Sequence, residues 1–244
     1  MDTTYFINGA ISGSVGIILS HPIDTLKTRI QSNNTITYNP RILYKGIFSP
    51  LIGVGFEKAI VFGTYQNCYK YLNNKNVSNN INNFISGGIA GFSASFVVTP
   101  VERIKILIQS NNKIHYSNLN IKYLYNGLSA TFTRETPGFA IYFTVYENLK
   151  YNFYSKYNQQ ITLSSSFIFG GLSGGFAWIF IYPQDRIKTI IQSQNKSLPF
   201  FSVIKNLYLT YGLKSFYKGF SLALLRAIPL HAGVFMTNEL LNRF

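Results

Sequence analysis

The chain has 244 residues, 47% of them hydrophobic and 16% aromatic but only 12% charged, and it carries a net charge of +14 at pH 7. A soluble domain has about twice that share of charged residues, so a wholly water-facing surface is excluded. The single Cys68 excludes an intramolecular disulfide, and His21, His115 and His231 lack metal-ligand spacing, so no metal or cofactor is expected. The lysines are scattered through short loops with no basic helix or recognition motif, which argues against nucleic acid as a partner and for anionic lipid headgroups.

In chain order, residues 3–23 come first. They contain no Asp, Glu, Lys or Arg and run into Pro22-Ile23-Asp24-Thr25-Leu26-Lys27 and on to Gln31. About 20 residues of helix span the hydrocarbon core of a bilayer, so this stretch is a membrane helix by length. Tyr44-Lys45-Gly46 then precedes a second apolar segment, 47–70, interrupted by Glu57 and Lys58. The pattern returns in residues 76–101, free of charge, which lead into Pro100-Val101-Glu102-Arg103-Ile104-Lys105 and Gln109. Tyr125-Asn126-Gly127 precedes the segment 128–150, with Arg134 and Glu135 inside it. Residues 157–184 lead into Pro183-Gln184-Asp185-Arg186-Ile187-Lys188 and Gln192, and Tyr217-Lys218-Gly219 precedes 220–241, which holds Arg226 and His231.

The motif prolines stand at 22, 100 and 183, a three-fold internal repeat that divides the chain at 1–75, 76–157 and 158–244. The expected fold is an all-α membrane protein of six transmembrane helices, in three tandem helix pairs with pseudo-three-fold symmetry. A mean hydropathy of only +0.11 fits helices whose inner faces line a water-filled cavity.

In each motif the acid, the lysine three residues on and the glutamine seven residues on share one helix face. The proline removes a backbone hydrogen bond and is expected to bend the helix just before that face. Three such helices would bring Asp24, Glu102 and Asp185 to Lys27, Lys105 and Lys188 as a ring of ion pairs closing one end, with Gln31, Gln109 and Gln192 bracing it. Charge buried in a membrane demands such partners. Gly9 and Gly13, Gly87 and Gly91, and Gly170 and Gly174 form a G-x-x-x-G ahead of each motif, a spacing that allows close helix packing. Gly46, Gly127 and Gly219 each free a helix-start N–H for a phosphate, and Lys45 and Lys218 add charge beside it.

These motifs resemble the signature of the mitochondrial carrier family, P-x-[DE]-x-x-[KR]-x-[KR] with a following Gln, and the similarity covers essentially the whole chain. The resemblance implies a six-helix barrel that works as a solute exchanger, alternating between a matrix gate and a cytoplasmic gate. It also implies a monomer in the mitochondrial inner membrane, multi-pass, with cardiolipin at Tyr44, Lys45, Gly46, Tyr125, Gly127, Tyr217, Lys218 and Gly219. No presequence is seen ahead of the first span, so an internal address is expected. An enzyme is not expected, since no nucleophile, base and orienting group converge in any motif.

The chain departs from the family pattern in three ways. The second basic position is kept as Arg29 but becomes Leu107 and Ile190. The segments 31–44 and 109–125 are short for a matrix helix, whereas 199–216 has the usual length. The cytoplasmic gate motif, [FY]-[DE]-x-x-[KR], is frayed. It reads Tyr65, Gln66 and Tyr69, then Tyr146, Glu147 and Lys150, then Asn238, Glu239 and Asn242, so at most one ion pair is expected there, Lys150 with Glu239 or Glu147.

Glu57 and Glu135 lie inside expected spans, and an intramembrane ionisable residue is a functional candidate by default. Aligning the even segments on Tyr44, Tyr125 and Tyr217 brings Gly53, Arg134 and Arg226 to one level, with Val54 and Glu135 next, then Glu57, then Lys58 and His231. These eight are the candidate substrate-binding residues. Arg134 followed by Glu135 resembles carriers of amino-acid-like solutes, such as basic amino acids, carnitine and S-adenosylmethionine. The chemistry agrees, because arginine holds a carboxylate and a carboxylate holds a cation. Gly53-Val54 keeps a nucleotide alternative open, since that pair could seat an adenine. The richness in Asn, Ile, Lys, Tyr and Phe suggests an AT-rich genome, as in some protists and giant viruses, where deoxynucleotide exchange in host mitochondria would have a use. A third alternative is a carrier-like scaffold without transport.

Overall fold

The computed structural model describes residues 3–32, 34–109, 121–157, 163–194, 198–226, 229–230 and 237. These residues form helices and turns, with no strand among them. Helices α1 (Thr3–Gln31), α4 (Asn79–Gln109) and α7 (Leu163–Ser193) have 29, 31 and 31 residues. At 1.5 Å per residue that is about 45 Å, longer than the hydrocarbon core of about 30 Å. Each contains its motif proline and continues through it to end at the motif glutamine or one residue beyond. Helices α3 (Phe48–Asn73) and α6 (Leu128–Tyr157) have 26 and 30 residues. By hydropathy as well as length, two stretches among the described residues are apolar enough to cross a membrane, Pro40–Asn73 and Asn79–Gln109. The expected sixth span is described over helical residues 220–226 and little beyond, so His231, Asn238, Glu239 and Asn242 lie outside the described residues.

The connecting helices are unequal. The short segment after Gln31 yields only the four-residue α2 (Pro40–Leu43), with Pro40 at its first turn and the Asn39 side chain accepting from the Arg41 N–H at 3.0 Å. Only α5 (Ile121–Leu124) is described in the second such segment, whereas the third forms the 12-residue α8 (Phe200–Tyr211) and a 3-10 turn, Leu213–Tyr217.

The long helices bury polar residues and expose apolar ones. On α4, Asn82, Ser86, Ser95, Thr99 and Arg103 are buried while Ile81, Ile85, Ile89, Phe92 and Phe96 are exposed. On α7, Ser173, Asp185, Lys188 and Gln192 are buried while Ile168, Leu172, Phe176 and Phe180 are exposed. Phe48, Ile52 and Phe56 make a similar exposed row on α3. The rows follow the three- and four-residue spacing of a helix face. In water such contiguous apolar stripes would be a liability, whereas in lipid they cost nothing.

The described chain divides into two compact units, the first of Met1–Gly55, Thr99–Gly127 and Thr189–Phe244, the second of Phe56–Val98 and Leu128–Lys188. In the first, α1 is tied to the turn before α3: Thr25 Oγ1 donates to the Leu43 carbonyl at 2.7 Å, and His21 Nε2 to that of Lys45 at 3.1 Å, with its ring stacked on Tyr44. Ser49 Oγ donates to the Val101 carbonyl, which joins the start of α3 to α4. The turning glycines Gly46, Gly127 and Gly219 have φ of 82°, 92° and 87°, a conformation that a side chain would strain.

In the second unit Val61, Tyr65, Ala90, Ala94, Val98 and Phe143 form one core cluster. The Tyr65 and Phe143 rings stack at 3.9 Å, and Tyr65 Oη donates to Asn83 Oδ1 at 2.8 Å. Buried Asn82 donates to the Tyr69 carbonyl at 3.1 Å and accepts from Ser86 at 3.0 Å, so the amides at the start of α4 are satisfied. The G-x-x-x-G spacing has the expected packing role on α4. A Cβ at Gly87 would lie 2.6 Å from the Phe139 carbonyl oxygen, and one at Gly91 would run into the Glu135 and Thr136 backbone of α6. At Gly13 and Gly174, by contrast, nothing among the described residues lies within 4 Å of a Cβ. Gly91→Ala should therefore destabilise the protein by about 1–3 kcal/mol through overpacking against backbone that cannot yield. Gly63→Ala, in open space on α3, should be neutral or stabilising by about 0.5–1 kcal/mol. Thermal unfolding in detergent checks both.

Candidate functional site

Charged side chains are gathered in two groups, one in each unit. In the first unit the buried Asp24 of α1 is bonded by Lys105 of α4, and Arg226 Nη1 donates to its other oxygen at 3.1 Å. One carboxylate thus faces two cations from segments 81 and 202 residues away in sequence. Two of the three motif glutamines bond threonines of a neighbouring helix: Gln109 donates to Thr25 at 3.0 Å, and Gln31 accepts from Thr189 at 2.9 Å. Lys27 and Gln192 are buried and Glu102 is half-buried.

In the second unit Glu135 of α6, 2% exposed, is bonded by its neighbour Arg134 and by the equally buried Lys188 of α7 at 3.3 Å. Arg134 Nε also stands 3.6 Å from Asp185, and the guanidinium lies over the Trp178 ring, 5.4 Å from its centre. Arg134 and Lys188 against Glu135 and Asp185 balance to zero in formal charge. A group of this kind can exchange partners with a solute that brings one charge of each sign, since each internal ion pair is replaced by an equivalent external one.

The remaining candidates are placed less centrally. Glu57 and Lys58 pair with each other at 3.0 Å, with the lysine half-exposed near the Phe139 ring. Gly53 is buried with Val101 filling the space a side chain would take, and Val54 beside it is half-buried. Of the cytoplasmic-gate candidates, Lys150 pairs with Glu147 at 3.0 Å, within α6, and Tyr146 stacks on Tyr142. Tyr65 sits in the core, Tyr69 packs against that core, and Gln66 is exposed. Of the candidate lipid-binding turns, Tyr44, Lys45, Tyr217 and Lys218 are exposed while Tyr125 is half-buried.

Two residues were missed from the sequence. Trp178 stands seven residues before Asp185, hence on the same helix face, and that spacing could have found it. Arg103 follows the second motif acid but points elsewhere than the acid, to the carbonyl oxygens of Ile191 and Gln192.

The model of the family described as mitochondrial carrier protein matches residues 3–76, 76–120, 116–157 and 159–244. The chain belongs to the mitochondrial carrier family. Among its relatives, the mitochondrial ornithine transporter 1 of Saccharomyces cerevisiae is 32% identical over 97% of this chain and 94% of its own length. A mitochondrial glycine transporter of the same yeast is 31% identical over 96% and 89%. The mitochondrial basic amino acids transporter of Rattus norvegicus is 28% identical over 95% and 86%. The alignment to the ornithine transporter spans 275 positions against 244 residues here, so that relative carries segments this carrier lacks.

Trp178 is the one tryptophan of the carrier. Its emission should shift when Arg134→Ala removes the cation from its face, and should respond to any solute that draws Arg134 away. Emission spectra of the purified parent and of the Arg134→Ala variant check the first of these.

Proposed function

We propose that this carrier exchanges an amino-acid-like cation or zwitterion across the mitochondrial inner membrane, receiving its head group at Arg134 and Glu135. The observation that carries the reading is the buried Glu135, held between Arg134 and Lys188 beside Asp185 and Trp178. The solute's carboxylate would take Arg134, and its ammonium, guanidinium or sulfonium group would take Glu135 against the aromatic face. The relatives named for ornithine, glycine and basic amino acids support the same class. A nucleotide would bring only negative charge to a group containing Glu135 and Asp185. Its adenine seat is also weakened, because Gly53 is packed against Val101.

The carrier would have six membrane spans in three repeats, act as a monomer and bind cardiolipin at the turns before α3, α6 and residue 220. Its motif charges would form the matrix gate, with Asp24 serving two masters there. Lys105 belongs to the gate and Arg226 to the substrate level, so a solute carboxylate that draws Arg226 away would loosen the hold on Asp24. Asp24→Lys should abolish exchange in cardiolipin-containing liposomes, and adding Lys105→Asp should restore part of it; no recovery in the double variant would reject Asp24–Lys105 as a gate pair.

The substrate class is decided by Glu135→Gln. Losing one partner of a buried pair costs about 2–5 kcal/mol, so uptake of ornithine or arginine should fall at least about 30-fold. Uptake of ADP or dATP by the same variant should be negligible, as in the parent. Robust nucleotide exchange by the parent, with none of cationic amino acids, would overturn the reading.

A further inference from the structure

Arg103 is fully buried in the first unit and takes no part in the ion pairs around Asp24. Its Nη1 donates to the main-chain carbonyls of Gln192 at 2.5 Å and Ile191 at 3.4 Å, and its guanidinium lies 4.9 Å from the centre of the Tyr123 ring. Helix α7 ends at Ser193, so these are two of its last four carbonyls, which carry its partial negative charge; that of Ile191 also accepts from the Gln194 N–H at 3.3 Å. Arg103 of α4 therefore caps the end of α7.

This contact completes a triangle. Gln109 of α4 bonds Thr25 of α1, Thr189 of α7 bonds Gln31 of α1, and Arg103 of α4 bonds the end of α7, so the three motif helices are joined pairwise near their ends. The α1–α4 edge has the neutral Gln109–Thr25 bond beside the Lys105–Asp24 ion pair, and the α1–α7 edge has the neutral Thr189–Gln31 bond. The third carries a full charge on two carbonyls and an aromatic face, and charged hydrogen bonds are roughly twice as strong as neutral ones. The α4–α7 edge is thus held by a charge that the motif ion pairs do not supply.

We propose that Arg103 is a latch of the matrix gate, a positioning residue that holds the end of α7 and sets how readily that side opens. The proposal rests on the gate reading above, and it adds a charged link that is independent of the motif ion pairs. A latch of this kind biases the gate toward its closed state by the difference between its contacts closed and open.

The test uses the 244-residue carrier with Cys68→Ser, in liposomes opened with detergent so that both sides are reached. One reporter is Ser193→Cys, at a buried position at the end of α7; the other is Tyr154→Cys, at an exposed position on α6. Arg103→Met should raise maleimide labelling of Ser193→Cys about tenfold or more. Arg103→Lys should give a smaller rise, and labelling of Tyr154→Cys should not rise. A merely structural arginine would instead raise both reporters together as the fold loosens, and that result, or an unchanged rate at Ser193→Cys, would overturn the latch. Where Arg103→Met does not fold, Arg103→Lys and Tyr123→Leu carry the same test, and unchanged labelling in both rejects it. Asp24→Asn separates the two readings. If it speeds labelling of Ser193→Cys and Arg103→Met does not, the latch falls alone; if neither does, the gate falls with it.

Discussion

A carboxylate removed from water needs compensation on more than one side, and that requirement organises this carrier. Asp24 and Glu135 are both almost wholly buried, and each is held by two cations. A single unpaired charge in such surroundings would cost several kcal/mol. The second cation makes each group tolerant of rearrangement, because one can leave while the other remains.

The helices are arranged to make such burial possible. Polar and charged residues of α4 and α7 are buried while rows of Ile, Leu and Phe face outward, the reverse of a soluble protein. Small residues matter where backbones must approach, as at Gly87 and Gly91 against α6. Prolines interrupt the hydrogen-bond ladder of α1, α4 and α7 without ending the helix, and each helix stops near its glutamine. The glutamine is therefore a terminal residue, free to bond across to a neighbouring helix.

The family was legible because proline, acid, lysine and glutamine recur at fixed helical spacing, and period is the strongest signal a sequence holds. The length of the connecting segments was legible too, since α2 has four residues and α8 twelve. Partner choice was not. The motif spacing brings Asp24 toward lysines, but nothing in one sequence says that Arg226, 202 residues on, shares it with Lys105. Lys188, expected to meet a motif acid, bonds Glu135 of the candidate substrate pair. Of the glutamines, expected to brace ion pairs, Gln109 bonds Thr25 and Gln31 bonds Thr189, residues that the repeat does not single out. Side-chain reach in three dimensions decides such choices, and helical periodicity fixes only the face.

The long sequence separation of these pairs bears on how the chain is made. Asp24 enters with the first helix, but its partners follow 81 and 202 residues later, and Glu135 waits 53 residues for Lys188. During synthesis and insertion Asp24 is present before Lys105 and Arg226, a costly state in lipid, whereas Glu135 already has Arg134 beside it. A chain cut short before residue 226 would leave Asp24 without one of its two cations, so a late segment completes the charge balance of the first helix.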